Sequence, residues 1–220
     1  MRTVNPDDLD RLATLLDGRD GVQSKLDEAQ LGPVTDFEFD LAPIMTRDVQ
    51  GYRGSVGPFG DVDVRSVLST GTTQHNQTVL KGERFPEAVF TGGGSGGVPS
   101  LDGGWLQVDG IPVRIDLRVK GVRKGSRRLD MWYLDRQYSY RSAGQGKEAV
   151  LTRGPVTVTI DRAVGRPGVE RVGRAEGGAD ATDLAIAIVF EQVDTACLTL
   201  TGALLAIPRN LLMGNGRDEG

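Results

Sequence analysis

Five stretches of this chain place an apolar residue at every second position, and that period of two limits what the chain can fold into more than any other feature. Phe37 and Phe39 alternate with Asp36, Glu38 and Asp40; Val62 and Val64 alternate with Asp61, Asp63 and Arg65. The cleanest run sets Ile111, Val113, Ile115, Leu117 and Val119 against Arg114, Asp116, Arg118 and Lys120. Val156, Val158 and Ile160 form a fourth run, and Leu184, Ile186, Ile188 and Phe190 a less pure fifth. Each reads as a strand with one face buried and one wet. Between the runs lie Gly57-Pro58, Gly92 to Gly97, Asp109-Gly110, Gly144 to Gly146 and Gly177-Gly178, which read as turns and loops. Alternating strands so punctuated make an antiparallel barrel or closed sandwich, not a βαβ sheet.

The first 31 residues differ in kind. Asn5 can cap a helix that begins at Pro6, Asp7 and Asp8 suit its positive end, and Gly18 stops it, so that Leu9, Leu12, Leu15 and Leu16 share one face. A weaker helical pattern follows from Val22 to Leu31. The sequence thus divides into a helical segment over 1–31, a β domain over 33–207 and a flexible tail over 208–220. An apolar helix face this short must bury on the domain or on a second copy, so a homodimer is one expectation.

Charge and titratable residues narrow the chemistry. A net charge of −4 argues against a protein that coats nucleic acid, and with one histidine and one cysteine the zinc patterns built on clusters of those residues are excluded. Cys197 reads as a small buried hydrophobe, and His75 as a solvated loop residue or a pH-sensing one. Asp61 and Asp63 lie on one side of a strand, which a metal site and a wet face would both use. No Gly-x-Ser-x-Gly or Ser-x-x-Lys pattern supports a nucleophile, and the glycine tract at 92–97 lacks the Lys-Ser/Thr ending of a phosphate loop. Neither a cofactor nor a catalytic residue is expected. The N-terminal residues MRTVNPDDLD hold no apolar leader core and no stretch is apolar enough to span a membrane as a helix, so the cytoplasm is the default expectation, with unconventional export as the alternative.

Two local concentrations stand out. Seven cations fall in the fifteen residues from Arg114 to Arg128, and Arg123, Lys124, Arg127 and Arg128 read as a hairpin turn and its flanks, able to grip an anionic head group or simply to face solvent. Aromatic residues are not interleaved with these cations along the sequence, so nucleic acid is not an expected partner. Met131, Trp132, Tyr133, Tyr138 and Tyr140 gather the aromatics of an aromatic-poor chain and suit either a core or a cavity wall.

The stretch from Ser66 to Phe90 carries a family likeness. Val64 to Gly71 closes on Ser-Thr-Gly, a polar crossover ends at Leu80-Lys81-Gly82, and Phe85-Pro86 leads to Phe90. With Phe37 to Phe39, Val49-Gln50-Gly51-Tyr52 and Leu106 to Val113, this resembles the YceI-like family of lipocalin-type barrels over about residues 37–117. The resemblance implies a container for a long-chain isoprenoid or fatty amphiphile. Phe37, Phe39, Val62, Val64, Ile115, Leu117, Trp132, Val158 and Ile160 would then line the cavity, with Arg123, Lys124, Arg127 and Arg128 at its mouth. The alternative is a cavity-free structural or interaction protein delivered by its N-terminal helices.

Overall fold

The computed structural model describes residues 36–67, 75–94, 97–119, 127–143, 146–162 and 170–199; the helical segment expected over 1–31 and the tail over 208–220 lie outside them. The described strands are β1 (Phe37–Met45), β2 (Val49–Ser55), β3 (Asp61–Val67), β4 (Asn76–Gly82), β5 (Phe85–Gly92) and β6 (Trp105–Val108). After them come β7 (Ile111–Val119), β8 (Arg127–Tyr133), β9 (Arg136–Ala143), β10 (Glu148–Arg153), β11 (Val156–Asp161) and β12 (Arg171–Glu176). Each pairs antiparallel with its sequence neighbours, and β1 closes the barrel by pairing with β12 through Phe37–Leu41 and with β2 through Ala42–Met45. The protein is therefore mainly β, a closed antiparallel barrel of twelve strands, against the eight of a lipocalin.

The two ends of the barrel are built differently. At one end the hairpins are tight: Asp109-Gly110 turns with both residues at positive φ, which is what two-residue β-turns require, and Gly154-Pro155 joins β10 to β11. The opposite end carries the longer connections, among them 93–104 between β5 and β6.

Size explains what happens inside. Twelve strands about 4.8 Å apart and tilted about 40° enclose a cylinder roughly 24 Å across, backbone to backbone. Once inward side chains are subtracted, the space left is about one helix wide, since an α-helix with its side chains measures about 10–12 Å. The chain fills that space itself. From the tight-turn end, Gly177 and Gly178 lead into α1 (Ala181–Val189), which continues as a 3-10 turn over Phe190–Gln192. All nine residues of α1 are buried, and it packs on β4 and β5 from one wall and on β10 and β11 from the opposite one. A helix surrounded on every side needs no polar face, and Leu184, Ile186, Ile188, Val189 and Phe190, all completely buried, contribute about 1.5–3 kcal/mol each to folding.

Two sequence expectations are corrected here. Leu184 to Phe190 is helix, not strand: Ala185, Ala187 and Val189 are as apolar as their neighbours, and Asp180 with Asp183 forms a capping box at the N-terminus. The supposed polar crossover contains β4, whose inward face carries Asn76 and Thr78 beside Leu80. Thr78 is polar for a reason inside the barrel: its Oγ1 donates to the Gln192 carbonyl at 2.7 Å, just beyond the helix.

Close approach accounts for Gly173. It sits on β12 opposite Phe39, and any Cβ there would overlap the Phe39 ring.

Candidate functional site

Among the described residues, the ion pairs inside the barrel lie at the two ends of the helix. At its start, Asp180 Oδ1 accepts from the backbone N–H groups of Thr182 and Asp183, and Asp183 Oδ2 accepts from that of Asp180. The same carboxylates bind the barrel wall. Arg153 on β10 makes a two-point pair with Asp183 at 2.6 and 2.7 Å, and Arg136 on β9 donates to Asp180 at 2.6 Å. Hydrogen bonding to Asp183 raises the Arg153 guanidinium further above its ordinary range, so Arg153 stays charged.

Beyond the helix, the Glu191 side chain is wholly buried and lies between two arginines. Arg162 donates from Nη2 at 2.8 Å and from Nε at 3.0 Å, and Arg171 from Nε at 3.1 Å. Arg162 also donates to the Tyr140 hydroxyl at 2.7 Å and to Thr195 Oγ1 at 3.1 Å, while the Arg171 guanidinium lies 4.9 Å from the Tyr52 ring centre. Burial pushes the Tyr140 phenol well above its ordinary range; it is neutral under all ordinary conditions and serves as a hydrogen-bonding partner. Past this cluster the chain crosses the longer-loop end: Asp194 N–H donates to the Pro99 carbonyl, and Arg127 reaches the Thr199 carbonyl.

The residues read from the sequence as a cavity wall fall into three groups. Phe39, Val62, Val64, Val158 and Ile160 are buried, and Phe37 is half-buried against Phe39 and Phe59. Ile115 and Leu117 lie opposite the buried Met131 and Leu129, hence on the inner side, yet both stay partly exposed. Trp132 is a correction: the alternation of β8 turns Leu129, Met131 and Tyr133 inward and Trp132 outward, where Arg114 stacks on it at 4.6 Å. Of the four cations placed at a mouth, Arg123 and Lys124 lie outside the described residues. Arg127 and Arg128 open β8 and so flank the connection from β7, as the flanks of a hairpin turn would, and Arg128 pairs with Asp130 at 3.0 Å on the outer surface.

The outer surface of β2, β3 and β4 has a shallow, open groove of about 600 Å³ lined by Arg53, Arg65, Lys81, Asp61 and Asp63. Both Asp63 oxygens are held by Arg65, and no group of three or more His, Cys, Asp or Glu able to hold a metal ion occurs among the described residues. His75 is exposed and packs against the Trp105 ring, centroids 5.6 Å apart. Cys197 is half-buried, and burial pushes its thiol up to about 11.

None of the three comparisons, with family models, with curated proteins and with solved structures, finds a match for this chain. The reading of function therefore rests on geometry. Sequence reasoning missed Asp180, Asp183, Glu191 and their arginine partners, because 20 to 44 residues separate the members of each pair. One local signal existed: Asp180-x-x-Asp183 after Gly177-Gly178 has the spacing of a helix start.

Proposed function

We propose that this protein is a non-catalytic interaction module that works through its outer surface. The observation that carries this reading is the burial of every residue of α1 between opposite walls of the barrel, which puts protein where an apolar ligand would have to sit. The arginine and carboxylate clusters support it further, because their donors and acceptors are spent on one another and on the helix ends. No helix among the described residues is long and apolar enough to cross a membrane.

A second reading, carriage of a long-chain isoprenoid or fatty amphiphile as the YceI-like resemblance implies, is favoured by one observation. Ile115 and Leu117 face inward and remain partly exposed, as the rim of an entrance would. That reading requires the helix to yield space. Incubation of the delipidated protein with a fluorescent fatty or isoprenoid probe separates the two. The interaction module takes up none, whereas stoichiometric uptake that is lost in Ile115→Arg or Leu117→Arg overturns it in favour of the container.

A further inference from the structure

Both tryptophans of the chain stand on the outer face of the barrel, and strand register sets them in one row. Gln77 on β4 pairs with Thr91 on β5, which pairs with Trp105 on β6. Leu106 pairs with Val113, so the next residue of each strand brings Trp105 beside Arg114; Arg114 in turn pairs with Trp132, and Trp132 with Gln137. Trp105 is 45% exposed, and the Arg114 guanidinium sits over the Trp132 ring. The two indoles are thus separated by two strand spacings, about 9–10 Å, with a cation between them.

A second row runs parallel to the first. Arg118 on β7 pairs with Arg128 on β8, and the register of β8 with β9 carries Arg128 to Arg141. This line of three arginines lies four residues along each strand from the tryptophan row, about 13 Å. Asp116, Asp130 and Ser139 occupy the row between. Asp130 is buried beneath Arg118 at 2.9 Å and Arg128 at 3.0 Å, which fixes both arginines upright. Arg114 and Arg141 make no ion pair with a carboxylate among the described residues, and four arginines against two aspartates leave the patch positive on a chain of net negative charge.

We infer that this face of β6 to β9 binds a single-stranded nucleic acid, with bases stacked on Trp105 and Trp132 and phosphates drawn to Arg114 and to the Arg118, Arg128, Arg141 row. Flat aromatic plates on a sheet beside a cationic line are what unpaired bases on a charged backbone need: every base offers a π-face to an indole, and arginine adds charge without demanding a sequence. The exposed Asp116 carboxylate between the rows suits an exocyclic amino group of a base, which donates to aspartate. A duplex hides its π-faces and gains nothing from the tryptophans. The inference rests on the reading that the barrel works through its outer surface.

The test uses the full chain, with tryptophan fluorescence as the readout. Titration with single strands of about a dozen nucleotides, oligo(dT) in one arm and oligo(rU) in the other, quenches the emission, and the affinity falls as salt rises from about 50 to 200 mM. Trp105→Ala and Trp132→Ala, both outer-surface changes, each weaken binding roughly 5- to 100-fold, measured by anisotropy of a labelled strand. Arg141→Ala lowers the salt slope by about one phosphate contact. Arg114→Lys keeps the charge but gives up planar stacking, and weakens binding less than Arg114→Ala. The DNA and RNA arms decide which strand is preferred. No quenching at low salt overturns the inference, as does binding unchanged by either tryptophan variant. Salt-independent binding of a neutral β-linked glucan oligosaccharide in place of the oligonucleotides also overturns it and makes the row a sugar platform. Uptake of the apolar probe is measured on the same preparation, so failure of the outer-surface reading shows there and failure of the nucleic-acid assignment shows here.

Discussion

The two ends of the buried helix solve the same problem with different margins. At its start, two aspartates meet two arginines, Asp180 and Asp183 lie where the helix dipole favours negative charge, and Arg136 and Arg153 keep about a quarter of their side chains in contact with water. At the far end a single Glu191 answers both Arg162 and Arg171, whose side chains are only 13% and 8% exposed. The first end is locally balanced and partly wet. The second relies on one carboxylate in a dry setting, where losing a partner costs most.

That contrast is broken most directly by removing one charge at each end. Glu191→Gln leaves two nearly dry guanidiniums without the carboxylate they share and should cost about 3–5 kcal/mol. Asp183→Asn should cost less, about 2–3 kcal/mol, because Arg153 can turn toward water while Asp180 keeps its own cap. Denaturant unfolding of the two variants measures the difference. Equal losses, or a larger one for Asp183→Asn, would show that the margin at the two ends is the same.

How much of this the sequence discloses follows from what surrounds each element. β3, β7 and β11 lie between a wall of apolar side chains and water, so their faces differ and the period of two is visible. α1 has apolar surroundings on all sides; with no polar face it carries no helical period, and its alternate residues mimic a strand. β4 is obscured for the opposite reason, since Thr78 points inward to a backbone carbonyl past the helix. The row of Trp105, Arg114 and Trp132 depends on register across β6, β7 and β8, which composition along the chain does not encode. Aromatics and cations that look segregated in sequence are interleaved in space.

A smaller contrast separates two tyrosines two residues apart on β9. Tyr140 takes a hydrogen bond from Arg162, so Tyr140→Phe should cost about 1.5–3 kcal/mol, the range for a bond to a charged group, and more than Tyr138→Phe. Burial raises both phenols well above their ordinary value. A raised folded value means that the neutral form is the one the fold favours: its stabilisation is complete below about pH 10, where an unfolded tyrosine titrates, and is lost as the pH rises beyond that. Tyr52 and Tyr133 shift in the same direction, chiefly through burial, so all four tyrosines of the chain are affected. Phenolate absorbance should therefore lag behind that of free tyrosine and rise together with loss of the β signal. A midpoint near 10 in protein that remains folded would contradict the burial of these rings.

The smallest effect lies beyond the second cluster, where Cys197 occupies the 3-10 turn Ala196–Leu198. Burial pushes its thiol up to about 11, with Asp102 and Asp194 acting in the same direction. Since the thiolate is the reactive form, alkylation near pH 8 should run on the order of a hundredfold more slowly than for a free cysteine and should still be accelerating above pH 10. The same rate reports on the helix end. Arg162 ties Thr195 to Glu191, so if the far end of the helix opens more readily once its carboxylate is lost, Glu191→Gln should speed labelling of Cys197 while Asp183→Asn, at the other end of the barrel, leaves it nearly unchanged. Equal acceleration in both variants would mean that the helix leaves the barrel as one unit, and would erase the distinction between its two ends.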